Sequence, residues 1–214
     1  MRLTPRTRRG HPEAGFTLVE LLIAVTILGL VAIPLGNAVI GYAHNADETT
    51  DRLVLSHDAQ ISGAYFGRDV AGVGIRDYTV SAAPLQQSIQ VDAAYDAGGK
   101  TCGTAATPTA TVRFLADSWD TSTMTATVGT DIVAYYLSGS GDVRELHRLK
   151  CVGSATPVSD VVVAHHVDPA TVVLTCSSTC TGAAVPQSVT LAFHVTRPSV
   201  GAYPIRLTGQ RRQT

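Results

Sequence analysis

Four groups of residues in this 214-residue chain have the types and spacings that chemistry needs. Glu20 is a lone carboxylate inside an apolar run. Cys102, Cys151, Cys176 and Cys180 allow three disulfide pairings, of which Cys176–Cys180 across a short turn and Cys102–Cys151 between a long loop and a strand end are favoured. Cys176 and Cys180 together with His165 and His166 form the alternative, a metal site. Adjacent histidines on a strand point to opposite faces, and a C-x₃-C spacing is not diagnostic of zinc, so no metal is expected. Asp92 and Asp96, ahead of Gly98 and Gly99, would face a calcium ion in a loop, but they lack the regular alternation of oxygen ligands, and solvated loop acids are the plainer reading. The seven histidines make no HExxH pattern, and Ser140 has the wrong flanks for GxSxG. No catalytic set, cofactor or nucleotide loop is expected.

Glu20 carries the most information. From Leu21 to Ala43 there are 23 residues without a charge, and from Phe16 to Ala43 Glu20 is the only one. About 20 apolar residues cross a bilayer as a helix. Residues 1–15 carry a net charge of +3 and the remainder −4. By the positive-inside rule the N-terminus stays in the cytoplasm and the body lies outside. A secretory signal peptide or a plain signal anchor would explain a basic head and an apolar run. Neither explains the acid, because a carboxylate within a spanning helix costs roughly 2.5–3.5 kcal/mol on insertion scales. It calls for a cation. Cleavage just before Phe16 would create an α-amino group four residues away, and in a filament the amine of one subunit would meet the carboxylate of the next.

Gly15-Phe16-Thr17-Leu18-Val19-Glu20, behind a basic leader and ahead of an unbroken apolar stretch, resembles the prepilin processing motif of type IV pilins and type II secretion pseudopilins. The resemblance implies cleavage between Gly15 and Phe16 by a membrane prepilin peptidase, N-methylation of Phe16, and a role for Glu20 in neutralising a neighbouring N-terminus during assembly. The partners it implies are other pilin or pseudopilin subunits, the prepilin peptidase, a filament assembly platform and membrane lipid. The sequence is also similar, at scattered positions, to J-type minor pseudopilins: Ile61–Gly72 with Arg68-Asp69-Val70, Ile132–Leu137, Arg144–Leu149 and Pro204–Arg212. Glu20 departs from the K-type tip subunit, which characteristically lacks that acid.

The elements that must position these residues follow from periodicity. Pro34 removes a backbone hydrogen bond in the apolar helix and marks a kink or a locally melting point. Beyond Tyr42 the pattern stays helical to about Val70, with an apolar stripe of Val54, Ile61 and Tyr65 flanked by Leu53 and Ala64, and with Asp51, Asp58 and Arg68 off it. Such a helix, from Phe16, would be roughly 80 Å long. From Tyr78 onward, short Thr- and Val-rich runs predict strands at 88–92, 109–115, 131–137, 143–149, 158–163, 171–176, 188–196 and 203–207, with 93–108 a long loop. The expected division is a basic leader at 1–15, a transmembrane helix at 16–43, its amphipathic continuation at 44–74 and a β-rich extracytoplasmic domain at 75–214. The expected fold is α+β and pilin-like, a long N-terminal helix whose outer half packs on an antiparallel sheet.

All four cysteines follow the membrane segment, on the oxidising side. With a formal net charge of −1 the chain lacks the basic excess of a nucleic-acid binder. The function expected is that of a minor pilin or pseudopilin, inserted once through the inner membrane and then drawn into a filament. The alternatives are a DNA-uptake or adhesion pilin, and an anchored extracytoplasmic protein unrelated to filaments.

Overall fold

The computed structural model describes residues 15–120, 127–182 and 184–212, so the basic leader, apart from Gly15, lies outside the described residues. One helix, α1, runs from Leu18 to Ala71 and passes through Pro34. The chain divides into two units, Met1–Asp47 and Glu48–Thr214. In the first, α1 is apolar and wholly unburied, and it is long enough to cross a membrane. In the second, α1 packs on a sheet.

Among the described residues ten strands follow: β1 (Ile75–Arg76), β2 (Leu85–Gln86), β3 (Ile89–Ala93), β4 (Ala110–Asp120), β5 (Thr127–Ser138), β6 (Arg144–Cys151), β7 (Pro157–Val167), β8 (Val173–Cys176), β9 (Ser188–Arg197) and β10 (Gly201–Gln210). β1 and β2 form a small antiparallel pair. The others form one antiparallel sheet in the order β10-β9-β7-β6-β5-β4-β3, with β8 also paired to β9. The expected runs fall on β3 to β10, within a residue or two at their ends, with Thr171 in a 3-10 turn ahead of β8, while β1 and β2 are not among those expected. The α+β arrangement of a long N-terminal helix on an antiparallel sheet is therefore the observed one.

Alternation builds the face against α1. In β9, Val189, Leu191, Phe193 and Val195 point inward, and in β10 Ile205 and Leu207 do the same. Phe66 of α1 meets Phe114 and Tyr135 edge-on, with ring centroids 5.6 and 5.4 Å away. Near the end of α1, Val70 lies so close to Gly209 that a Cβ on Gly209 would run into the valine side chain. The opposite face of the sheet buries Leu115, Ile132, Ala134 and Leu149 with Cys102. Cys102 brings the long loop after β3 onto that face, bonded to Cys151, and Cys176 is bonded to Cys180.

The buried stripe of α1 is not the expected one. Leu55, Asp58, Ser62, Phe66 and Val70 face the sheet, while Leu53 is 66% exposed and Ala64 is also exposed. Two polar residues sit in the packed face, so apolar counting alone selects a neighbouring stripe. Both are partnered. The Asp58 carboxylate accepts the backbone N–H of His165 at 3.0 Å and lies 3.2 Å from His165 Nδ1. The Ser62 hydroxyl donates to the Asp58 carbonyl at 2.5 Å.

About two turns beyond Ser62, Arg148 of β6 holds Asp69 bidentately, with both contacts at 2.6 Å and both side chains at most 5% exposed. Tyr135 donates its hydroxyl to the same carboxylate at 2.7 Å. Burial and the adjacent Asp69 charge push the Tyr135 phenol far above its ordinary range, so it stays a donor. Removing one member of a buried ion pair strands the other charge, which costs about 3–5 kcal/mol. Asp69→Ala is therefore expected to lower unfolding stability by that amount in denaturant titrations of the detergent-solubilised chain. A loss under about 1 kcal/mol, the range of an exposed pair, would contradict the clamp.

Candidate functional site

At the N-terminus, α1 starts immediately behind a cap. The Thr17 hydroxyl accepts the backbone N–H of Glu20 at 3.3 Å, and the Thr17 carbonyl accepts the N–H of Leu21 at 3.1 Å. Thr17 to Glu20 has the T-x-x-E spacing of a capping box, a signal carried by the sequence itself. Gly15 and Phe16 therefore lie outside the helix, just before its cap. A Cβ on Gly15 would meet open space, so no contact within this chain requires glycine there. Phe16 is 80% exposed.

Glu20 stands at the third helical position rather than deep in the apolar run. There the unpaired N–H groups of the first turn favour a negative charge by about 0.3–1 kcal/mol. That offsets only part of the burial cost estimated from the sequence. Among the described residues, its carboxylate has no ion-pair partner. From Leu21 to Ala43 the helix presents apolar side chains on every face. An all-round apolar helix suits lipid or the centre of a helical assembly.

The other candidate sites resolve into structural roles. Cys176 and Cys180 are bonded to each other, which removes both thiolates from the alternative metal set. His165 is turned toward Asp58. Asp92 lies in β3 rather than in the loop, and the loop carrying Asp96 is organised around a side chain. Arg113, fully buried, donates to the carbonyls of Ala94 (2.8 Å), Ala97 (3.4 Å) and Lys100. Burial lowers its pKa and the nearby Asp96 opposes that shift. A guanidinium, always charged at physiological pH, thus stands among the backbone oxygens of this loop.

On the same side of the sheet, Tyr136 donates to Asp160 at 2.6 Å, and Asp160 lies 3.1 Å from His147 Nδ1. Burial and that hydrogen bond raise the Tyr136 phenol and keep it protonated. Two acids of α1 are partnered as well: Asp51 accepts the Ser199 hydroxyl at 2.5 Å, which holds its carboxyl below the usual range, and Glu48 pairs with Arg52 at 2.6 Å. None of the partners Arg113, Arg148, Tyr135 and Ser199 was legible from sequence, because each contact joins segments distant in the chain.

A family model for the prokaryotic N-terminal methylation motif matches residues 11–36. The match covers Gly15, Phe16 and Glu20 and supports a type IV pilin-like chain. Neither the curated proteins nor the solved structures give a match.

The Arg113 arrangement makes a testable statement about calcium. Arg113→Met should cost at least the ~1.5–3 kcal/mol of a hydrogen bond to a charged group. Thermal unfolding of the parent chain should be the same in calcium and in chelator. A midpoint that rises with calcium would show that the loop takes a metal in addition to Arg113.

Proposed function

We propose that this chain is a structural subunit of a type IV pilus-like or type II secretion filament, processed by a prepilin peptidase between Gly15 and Phe16 and methylated on the new Phe16 amine. The observation that carries this reading is the methylation motif at residues 11–36 set directly on a helix that is capped at Thr17, unburied and long enough to cross a membrane. The chain first sits in the inner membrane through residues 16–43, with residues 75–214 outside. The amphipathic 44–74 segment joins them. Other pilin-like subunits and an assembly platform are its partners. The size of the β-rich domain favours a minor subunit. The motif points to a structural role rather than to catalysis.

Glu20 has one task in this scheme. A carboxylate in the first turn, without a partner among the described residues, waits for the α-amino group of a neighbour. That amine, with a reference pKa of about 7.7–8.0, is largely protonated at neutral pH. Pro34, inside the apolar run, supplies a point where the helix loses a hydrogen bond and extends when the subunit is packed into a filament.

Glu20→Gln separates processing from assembly. The variant should be cleaved and held in the membrane as the parent is, yet be missing from sheared filaments or fail to restore secretion. A Glu20→Gln chain that assembles normally would contradict the proposed charge pairing.

A further inference from the structure

We propose that the outer edge of β7, over residues 158–162, takes up an extended acidic segment of a partner protein as an added strand.

The edge is open for a topological reason. β7 pairs with β6 along its length, but on its other side it meets β9 at one position, Val167 with Val195. β9 turns instead to β8. In an antiparallel ladder alternate residues point their N–H and C=O groups away from the neighbouring strand. The N–H of His165 is met by the Asp58 carboxylate at 3.0 Å. Further along, among the described residues, the outer backbone groups of 158–162 pair with no strand, helix or loop. Open edges are normally guarded by proline, lysine or an inward charge. Here Pro157 stands just ahead of the open stretch. The one charge within it, Asp160, is held on the face away from α1, where Tyr136 donates to it at 2.6 Å and His147 Nδ1 lies 3.1 Å away. Val158 is 61% exposed, and with Val161 and Val162 it supplies the β-branched residues that suit a ladder.

Room for the side chains of an added strand lies alongside. Ile61, Ala64, Tyr65 and Arg68 of α1, with Val161 and Val162, line a groove of about 480 Å³. Its uncompensated charge is positive. Arg68 is exposed, with its guanidinium 5.1 Å from the Tyr65 ring centroid, and it forms no ion pair among the described residues. Arg148 and Lys150 of β6 lie opposite Val161 and Ser159, on the face turned to α1. Arg148 is matched by Asp69, whereas Lys150 has no ion pair among the described residues. The nearby carboxylates are engaged, Asp58 with His165 and Asp69 with Arg148 and Tyr135. An acidic strand therefore complements the groove. A second copy does not, because pairing two β7 edges about a two-fold axis would bring two grooves of the same charge together. In strand addition the main-chain bonds give affinity and the side-chain pockets give specificity.

The test follows amide hydrogen exchange of the detergent-solubilised full-length chain with a synthetic peptide, acetyl-Glu-Thr-Val-Thr-Val-Glu-amide. This peptide should slow exchange across 158–162. The same peptide with lysine in place of glutamate, or with its backbone nitrogens methylated, should not. Arg68→Glu should weaken the acidic peptide about fivefold and favour the lysine peptide. Exchange unchanged by the acidic peptide, or slowed as much by the methylated one, would overturn strand addition. Equal protection by the lysine peptide would overturn the acidic partner. Protection that grows with protein concentration in the absence of peptide would overturn the proposal in favour of a second copy on this edge.

Discussion

One helix has to live in two environments. From Leu21 to Ala43 it carries no charge, which suits lipid. Its second half must choose a single face to bury against a sheet, although several of its faces carry apolar residues. The choice is made by polar contacts. Asp58 holds His165, and Asp69 is gripped by Arg148 and Tyr135. A buried carboxylate without its partner costs several kcal/mol, so a rotation of α1 that buried Val54, Ile61 and Tyr65 instead would strand these groups. The polar contacts thus fix the face, and the apolar residues Leu55, Phe66 and Val70 fill it.

The other side of the sheet follows the same logic with different means. The loop after β3 has too few apolar side chains to pack alone. It is held by a disulfide at Cys102 and by the Arg113 guanidinium among its carbonyls. Both devices lie on an extracytoplasmic domain in the proposed topology, where a disulfide is stable. Tyr135 and Tyr136, both raised, are donors in fixed hydrogen bonds and belong to the cores on the two opposite faces of the sheet. Perturbed groups of this kind serve structure as readily as catalysis.

Much of this was legible in the sequence for plain physical reasons. A charge-free run of that length reads as a helix able to cross a membrane, and β-rich runs alternate as they must. The α+β fold and the helix limits therefore follow from local pattern. The buried face of α1 did not, because Asp58 and Ser62 become tolerable there only through His165 and their own turn of helix. The cap at Thr17 was readable from T-x-x-E spacing, and it moves Glu20 from the depth of the helix to its first turn. Arg113 reads as an ordinary strand arginine until the loop is folded over it. β1 and β2, two residues each, carry no periodicity.

The central claim is that the bond between Gly15 and Phe16 is a processing site. Intact mass and N-terminal sequencing of the chain extracted from membranes, with and without prepilin peptidase, address it directly. The expected result is a chain beginning at N-methylated Phe16 only when the peptidase is present. A chain that still begins at Met1 in its presence, or one cut beyond Ile33, would contradict the claim and leave Glu20 as the acid of an ordinary membrane anchor.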